Sequence, residues 1–198
     1  LNQDLIEKYQ KAYASIGPYV QEIIVVENGS KVLKDVIHFD NPIGYAAAVN
    51  AGLKQATGDF VLILNSDAAI ETIDWASRLA LRFLSDESIG IVIPWLKNDG
   101  EPRHSPQIVG PCWAVRRETL DRIGNLCSDY GSGYYEDTDF FMTAITAGFK
   151  VVAEEGVKVT HAGQSTFKAL YTEDEIKKLS STNYEKYTSK WHRWPEFS

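Results

Sequence analysis

The sequence predicts an α/β fold, an open mixed and mainly parallel sheet flanked by helices on both faces. Three observations carry that expectation. Continuous apolar runs at 22–26, 60–64 and 89–93 read as strands buried on both sides. Segments of helical periodicity alternate with them, the order that builds parallel sheets through helical crossovers. Polar clusters close the runs, Glu27-Asn28-Gly29-Ser30 after one and Asn65-Ser66-Asp67 after another. Ligands of such sheets bind beyond the carboxyl ends of the strands, so these clusters mark the candidate site.

The elements follow in chain order. Leu5, Ile6, Tyr9, Tyr13 and Ile16 recur at helical spacing, and Gly17-Pro18 ends that helix. The strand at 22–26 is followed by a second at 36–39, closed by Asn41-Pro42. Residues 44–57 are Ala-rich and helical. After the strand at 60–64 a helix is expected with Ile73, Ala76, Leu79, Ala80 and Phe83 inward. The strand at 89–93 is closed by Pro94, and 98–106, with Gly100, Pro102 and Pro106, reads as loop. A strand is expected at 109–115, a short helix at 118–123 and a Gly- and Tyr-rich loop at 124–135. The next helix, 136–148, turns Phe140, Phe141, Ala144 and Ile145 inward. Strands at 151–153 and 157–160 precede a loop at 161–169. Thr172, with Glu175 three residues on, opens the last helix as a capping box.

The chain's 198 residues suit one domain on a prior of ~150 residues per domain. We read it as one domain of two halves, 1–97 and 98–170, with a C-terminal helical appendage (171–198). With 44% hydrophobic residues it carries a sizeable core, which excludes a disordered tail or a disulfide-stapled miniprotein. The net charge of −7 argues against a nucleic-acid binder. Cys112 and Cys127 fit no metal spacing and no disulfide framework, so a reducing, cytoplasmic setting is expected. No apolar run is long enough to span a bilayer.

Three constellations carry candidate chemistry. Asp67, at the end of a buried strand, suits a hard divalent cation such as Mg or Mn, or a turn. Glu136, Asp137 and Asp139 open a helix, where acids offset the macrodipole. Glu136 and Asp137 precede the inward Phe140 and Phe141 by four residues and lean to the buried side, where a carboxylate can act as a general base. His161 ends an apparent strand, as a metal ligand or a structural hydrogen bonder. No phosphate-binding Gly loop, dinucleotide fingerprint or nucleophile elbow is present.

Together these segments resemble family 2 glycosyltransferases of the GT-A (Rossmann-like) fold, and most of all the rhamnosyltransferase-like branch. Residues 22–30 are similar to that family's hydrophobic strand and Asp-Asn-Gly-Ser, with Glu27 in place of the first acid. Residues 41–52 resemble its Asn-x-x-Gly-aromatic and Asn-x-Gly segment, which includes Asn50. Asn65-Ser66-Asp67 resembles its Asp-x-Asp, with one acid replaced. Residues 133–139 resemble its Gly-x-x-Glu-Asp-x-Asp box, and His161-x-Gly163-x-Ser165 its late His-x-Gly-x-Ser. The family's first strand has no counterpart, so either an upstream strand lies outside this sequence or the sheet is one strand short.

The resemblance implies transfer of a sugar, of hexosyl type, from a nucleotide-diphosphate donor to an acceptor hydroxyl, with inversion in a single displacement. It implies Asp137 as base, and Asp67 and His161 as ligands of Mn or Mg. Glu27, Asn28, Asn50, Asn65 and Asp67 would face the donor nucleotide, and Trp113 and Glu136 the sugar or acceptor. The acceptor would be a glycan, a lipid-linked molecule or a protein. Two other readings stay open: a catalytically silent nucleotide- or glycan-binding module on the same fold, and sugar-nucleotide formation from a nucleoside triphosphate. The C-terminal run Lys190-Trp191-His192-Arg193-Trp194-Pro195 is either a packed helix end or an aromatic-basic patch for a weak membrane-surface contact. The loop 162–169 is a candidate lid over the donor.

Overall fold

A computed structural model describes residues 3–29, 33, 36–98, 101–102, 110–161 and 170–195. Six α-helices are described: α1 (Gln3–Ile16), α2 (Tyr45–Leu53), α3 (Trp75–Ser85), α4 (Arg117–Ile123), α5 (Glu136–Thr146) and α6 (Glu173–Trp191). The strands are β1 (Val26–Asn28), β2 (Ile37–Phe39), β3 (Phe60–Leu64), β4 (Ala68–Ile70), β5 (Ile89–Asn98), β6 (Glu101–Pro102), β7 (Cys112–Arg116) and β8 (Lys150–His161).

β1 and β2 form a parallel pair. The other strands form a second sheet in the order β3-β7-β5-β8-β4, with β6 on β5. This sheet is mixed. Its longest ladder, β5 on β8, is parallel, whereas β3–β7, β5–β7, β4–β8 and β5–β6 are antiparallel. Strand–helix alternation governs the first half of the chain only; β7 runs antiparallel between β3 and β5.

The strands are apolar on both sides because helices cover both sides. Ile91, Ile93, Trp113, Val115 and Val151 pack with α2, α4 and α5 through Ala46, Leu53, Leu120, Phe140, Phe141 and Ala144. Their neighbours Val92, Cys112, Ala114 and Val152 point the other way, onto Trp75, Leu79 and Phe83 of α3. This two-residue alternation turns continuous apolar runs into a three-layer core.

Several expectations shift at their edges. The strand expected at 22–26 pairs only from Val26, because its partner β2 is short. α3 begins at Trp75, so Ile73 lies outside it and is exposed. Ala68-Ala69-Ile70, which lie between the strand and the helix expected there, form strand β4. β5 runs past Pro94 to Asn98. The proline, which has no N–H to donate, falls at a register shift in the β5–β8 ladder. The two strands expected at 151–153 and 157–160 are one, β8. The expected lid, 162–169, lies outside the described residues.

α6 opens with the expected capping box: Glu175 N–H donates to Thr172 Oγ1, and Thr172 N–H donates to the Glu175 carboxylate at 2.8 Å. Its far end corrects the membrane-patch reading. The Trp191 indole donates to Asp139 Oδ1 at 2.6 Å, Lys190 pairs with the same carboxylate, and Trp194 stacks on Tyr187 at 5.0 Å. Trp191, Trp194 and the Lys190 ammonium are thus engaged by α5 and its neighbours, while His192 and Arg193 stay exposed. No described helix is long and apolar enough to cross a membrane.

Trp113 occupies the centre of the core at 0% exposure, its ring 5.4 Å from Phe140 and 5.3 Å from Phe141. This is a packing position rather than the pocket wall the sequence reading assigned to it. Trp113→Ala is expected to cost about 3–5 kcal/mol of stability, measured by denaturant unfolding. Affinity for a nucleoside diphosphate in the remaining folded protein should be unchanged.

Candidate active site

A groove of about 1500 Å³ opens between the β1–β2 pair and β3. Its walls include Glu27, Asn28, Asn65, Asp67, Glu136, Asp137 and His161. Residues far apart in the chain thus line one groove.

Sheet register sets the first pair. Ala68 of β4 lies opposite His161 of β8, which brings the preceding Asp67 beside the imidazole. His161 Nε2 is 3.1 Å from Asp67 Oδ1, and both side chains are largely buried. Two neighbouring ligands of an octahedral cation, each about 2.1 Å from it, would stand about 3 Å apart, so this spacing fits a divalent ion. Among the described residues no third His, Cys, Asp or Glu joins them in a cluster. Further ligands to such an ion would be oxygens of a bound molecule and water.

The second pair opens α5. Glu136 and Asp137 are 6% and 9% exposed, unusual burial for carboxyl groups. Burial, followed by the adjacent Asp137, pushes the Glu136 carboxyl up to about 8. Asp137 is also raised by burial, but Thr138 opposes this: its N–H donates to Asp137 Oδ1 at 2.6 Å and its hydroxyl lies 3.2 Å away. Hydrogen bonds to a charged form favour that form. These bonds favour the charge on Asp137 and leave the proton to Glu136. Among the described residues Glu136 Oε2 has no hydrogen-bond partner.

Tyr45, whose aromatic ring belongs to the 41–52 segment but received no role in the sequence reading, joins the two pairs. Its hydroxyl donates to Asn65 Oδ1 at 2.9 Å and lies 3.4 Å from the Gly110 carbonyl. Gly110 in turn abuts Asp137: a Cβ at this position, where φ is +121°, would collide with Asp137 Oδ2. Burial, followed by the charge of Asp137, holds the Tyr45 phenol well above its ordinary range, so it stays a donor.

The remaining residues named from the sequence divide. Glu27 is buried, accepts from the Leu33 N–H at 3.3 Å and lies 3.6 Å from His38 Nδ1. The Asn28 amide bridges the turn before α2, accepting from Ile43 N–H at 2.7 Å and donating to the Gly44 carbonyl at 3.2 Å. Asn50 is not among the groove's residues. Its amide accepts from Leu126 N–H and donates to the Leu126 carbonyl, both at 2.9 Å, which makes it a tether of the loop after α4. Trp113 is in the core, as described above.

The profile of Glycosyl transferase family 2 matches residues 3–142, more than half of the chain. The chain belongs to this family. Among solved structures, this family 2 chain is similar to S. aureus TarS 1–349, with a TM-score of 0.64 and 14% identity over 93% of this chain and 69% of that one. It is similar to the mannosyltransferase PcManGT of Pyrobaculum calidifontis, solved with GDP-Man and Mn2+, with a TM-score of 0.51 and 23% identity over 64% of this chain and 39% of that one. A third is GalNAc-T7 with UDP, GalNAc and Mn2+, with a TM-score of 0.53 and 16% identity over 64% of this chain and 32% of that one. These likenesses establish the GT-A fold. The family 2 chain spans less than half the length of the latter two. No curated protein sequence matches it.

The protonated Glu136 makes stability depend on pH. An unfolded glutamate releases its proton near 4.5, the folded one near 8. Between these values the folded state binds more protons, so this stabilising contribution is whole below 4.5 and is lost as pH rises through 8. Glu136→Gln lacks the titration. The Tm of this variant relative to the wild type should climb from pH 5 to pH 8; a difference independent of pH would show that Glu136 titrates normally.

Proposed function

We propose that this chain transfers a sugar from a nucleotide-diphosphate donor to an acceptor hydroxyl, with inversion at the anomeric carbon. The observation that carries the reading is the shared groove: the Asp67–His161 pair and the buried Glu136-Asp137 pair line one cavity of a family 2 chain. Solved neighbours that hold GDP-Man, UDP-GlcNAc or UDP support a nucleotide-sugar donor. The spelling of the sequence motifs supports the rhamnosyltransferase-like branch.

The acceptor oxygen attacks the anomeric carbon as the bond to the diphosphate oxygen breaks, and Asp137 takes the acceptor proton. The charge retained on Asp137 suits it to that role, and the proton on Glu136 suits Glu136 to donate a hydrogen bond to the sugar or acceptor. Glu27, buried beside the groove with His38, faces the nucleobase. Asn65, fixed by Tyr45, and Asp67 lie on the nucleoside and diphosphate side. Asp67 and His161 would hold a divalent ion, Mn or Mg, which when bound would offset charge on the departing diphosphate. Mn2+ in two of the neighbours supports this choice. The acceptor is a glycan, a lipid-linked molecule or a protein.

Asp137→Asn should lower turnover by about 10²–10⁴-fold, the usual worth of a general base, while nucleoside diphosphate affinity stays near the wild-type value. Wild-type turnover in this variant would remove the base assignment. Binding of nucleotide sugars by the wild type, without transfer or hydrolysis, would favour a silent binding module instead.

Asp67→Ala and His161→Ala should each weaken the Mn-dependent part of nucleoside diphosphate binding, read by calorimetry with and without Mn. Full metal dependence in both variants would remove them as ligands.

A further inference from the structure

The backbone entering α5 is strained. Tyr134 and Tyr135, neither of them glycine, stand in the left-handed region at φ +73° and +75°. Such a conformation is costly for a residue with a side chain and persists only where its surroundings over-determine it. Hydrogen bonds and ring contacts from α6 and the residues just after it hold this segment.

Asn183 is central to that hold. It is 1% exposed, and its amide donates to two carbonyls, Tyr130 and Gly133, each at 2.7 Å. The second of these is the carbonyl immediately before Tyr134. Lys186, one turn on, donates to the Asp129 carbonyl at 2.6 Å. The Tyr135 ring lies 6.0 Å from Tyr184, 5.8 Å from Tyr187 and 6.0 Å from Trp194. Beyond the strained pair, Asp139 in the first turn of α5 accepts from the Trp191 indole and from Lys190, and from Tyr130 on its own side. α6 thus grips the chain on both sides of Glu136 and Asp137.

We propose that Asn183 is a positioning residue for the reacting carboxyls: by holding the Tyr130 and Gly133 carbonyls it keeps Tyr134 and Tyr135 left-handed, and so aims Glu136 and Asp137 into the groove. The effect on rate rests on the transferase reading above; the effect on the backbone does not. A helix that only covered the core would do so with apolar side chains. Here a fully buried amide, costly to desolvate, is spent on the backbone of the segment that leads into the site.

The test uses the full chain with Asn183→Asp, which keeps the shape but loses the amide hydrogens, and Asn183→Ser, which keeps one donor and is read alone if the first variant does not fold. Three quantities are measured: turnover of a nucleotide sugar, affinity for nucleoside diphosphate, and hydrogen exchange of backbone amides. Expected is a fall in kcat of up to about 10²-fold, the scale of an ångström-sized misplacement. The loss should be smaller for Asn183→Ser. KM for the donor and diphosphate affinity stay at the wild-type values, and exchange rises at 130–139 but not in β5 or α3. Unchanged kcat overturns the proposal. So does a parallel fall in kcat and diphosphate affinity with faster exchange throughout, which would mark a purely structural role. If the wild type turns over no nucleotide sugar, the transferase reading fails. The positioning proposal is then decided by exchange alone, and unchanged exchange at 130–139 in both variants overturns it.

Discussion

Two adjacent carboxyl groups are held out of water where α5 begins, and much of the molecule is arranged to make that possible. Ionising both would cost several kcal/mol per charge, so the pair keeps one proton, and local bonds decide where it sits. The Thr138 N–H and hydroxyl stabilise a charge on Asp137, whereas burial outweighs the backbone hydrogen bond at Glu136. The start of a helix is the favourable place for such a charge, because unpaired N–H groups point there. Gly110 leaves room for the Asp137 carboxyl, and a side chain at that position would close it.

The cost of this arrangement appears in the backbone. The turn into α5 needs positive φ at two tyrosines. A loop exposed to water would relax; this one is enclosed by the aromatic cluster of Tyr135, Tyr184, Tyr187 and Trp194 and by the amide of Asn183. The C-terminal helix is therefore a support for the site. Two residues of the run that looks from sequence like a basic aromatic surface, Lys190 and Trp191, donate instead to Asp139, which is 2% exposed. Gly44, with φ +91°, shows the same crowding from the opposite side: a side chain there would strike the Gly131 carbonyl of the same turn.

On the other wall of the groove, geometry comes from the sheet. β4 and β8 are antiparallel, and their register sets Asp67 against His161 although 94 residues separate them. Shifting this register by one residue would turn one partner to the opposite face. Register is fixed by the apolar alternation of β8, where Val157 and Val159 enter the core beside α3. The metal-ligand chemistry read from the motifs thus depends on ordinary hydrophobic packing nearby.

The sequence by itself determined the alternation of apolar runs and helical periods, the polar ends of strands β1 and β3, and the order of the family's motifs. These are local properties, written within a few residues of each other, and β3, α2, α4, α5 and the capping box of α6 followed from them. It also named both members of each groove-lining pair by residue type and position. Tertiary structure decided what spacing along a chain cannot carry. Asn50 tethers a loop and Trp113 fills the core because helices and strands distant in sequence close over them. Tyr45 and Asn183 reach the site through partners 20 and 50 or more residues away. The sheet became largely antiparallel in its second half because pairing depends on which edge a returning strand meets, a choice made by packing and long-range hydrogen bonds rather than by local pattern.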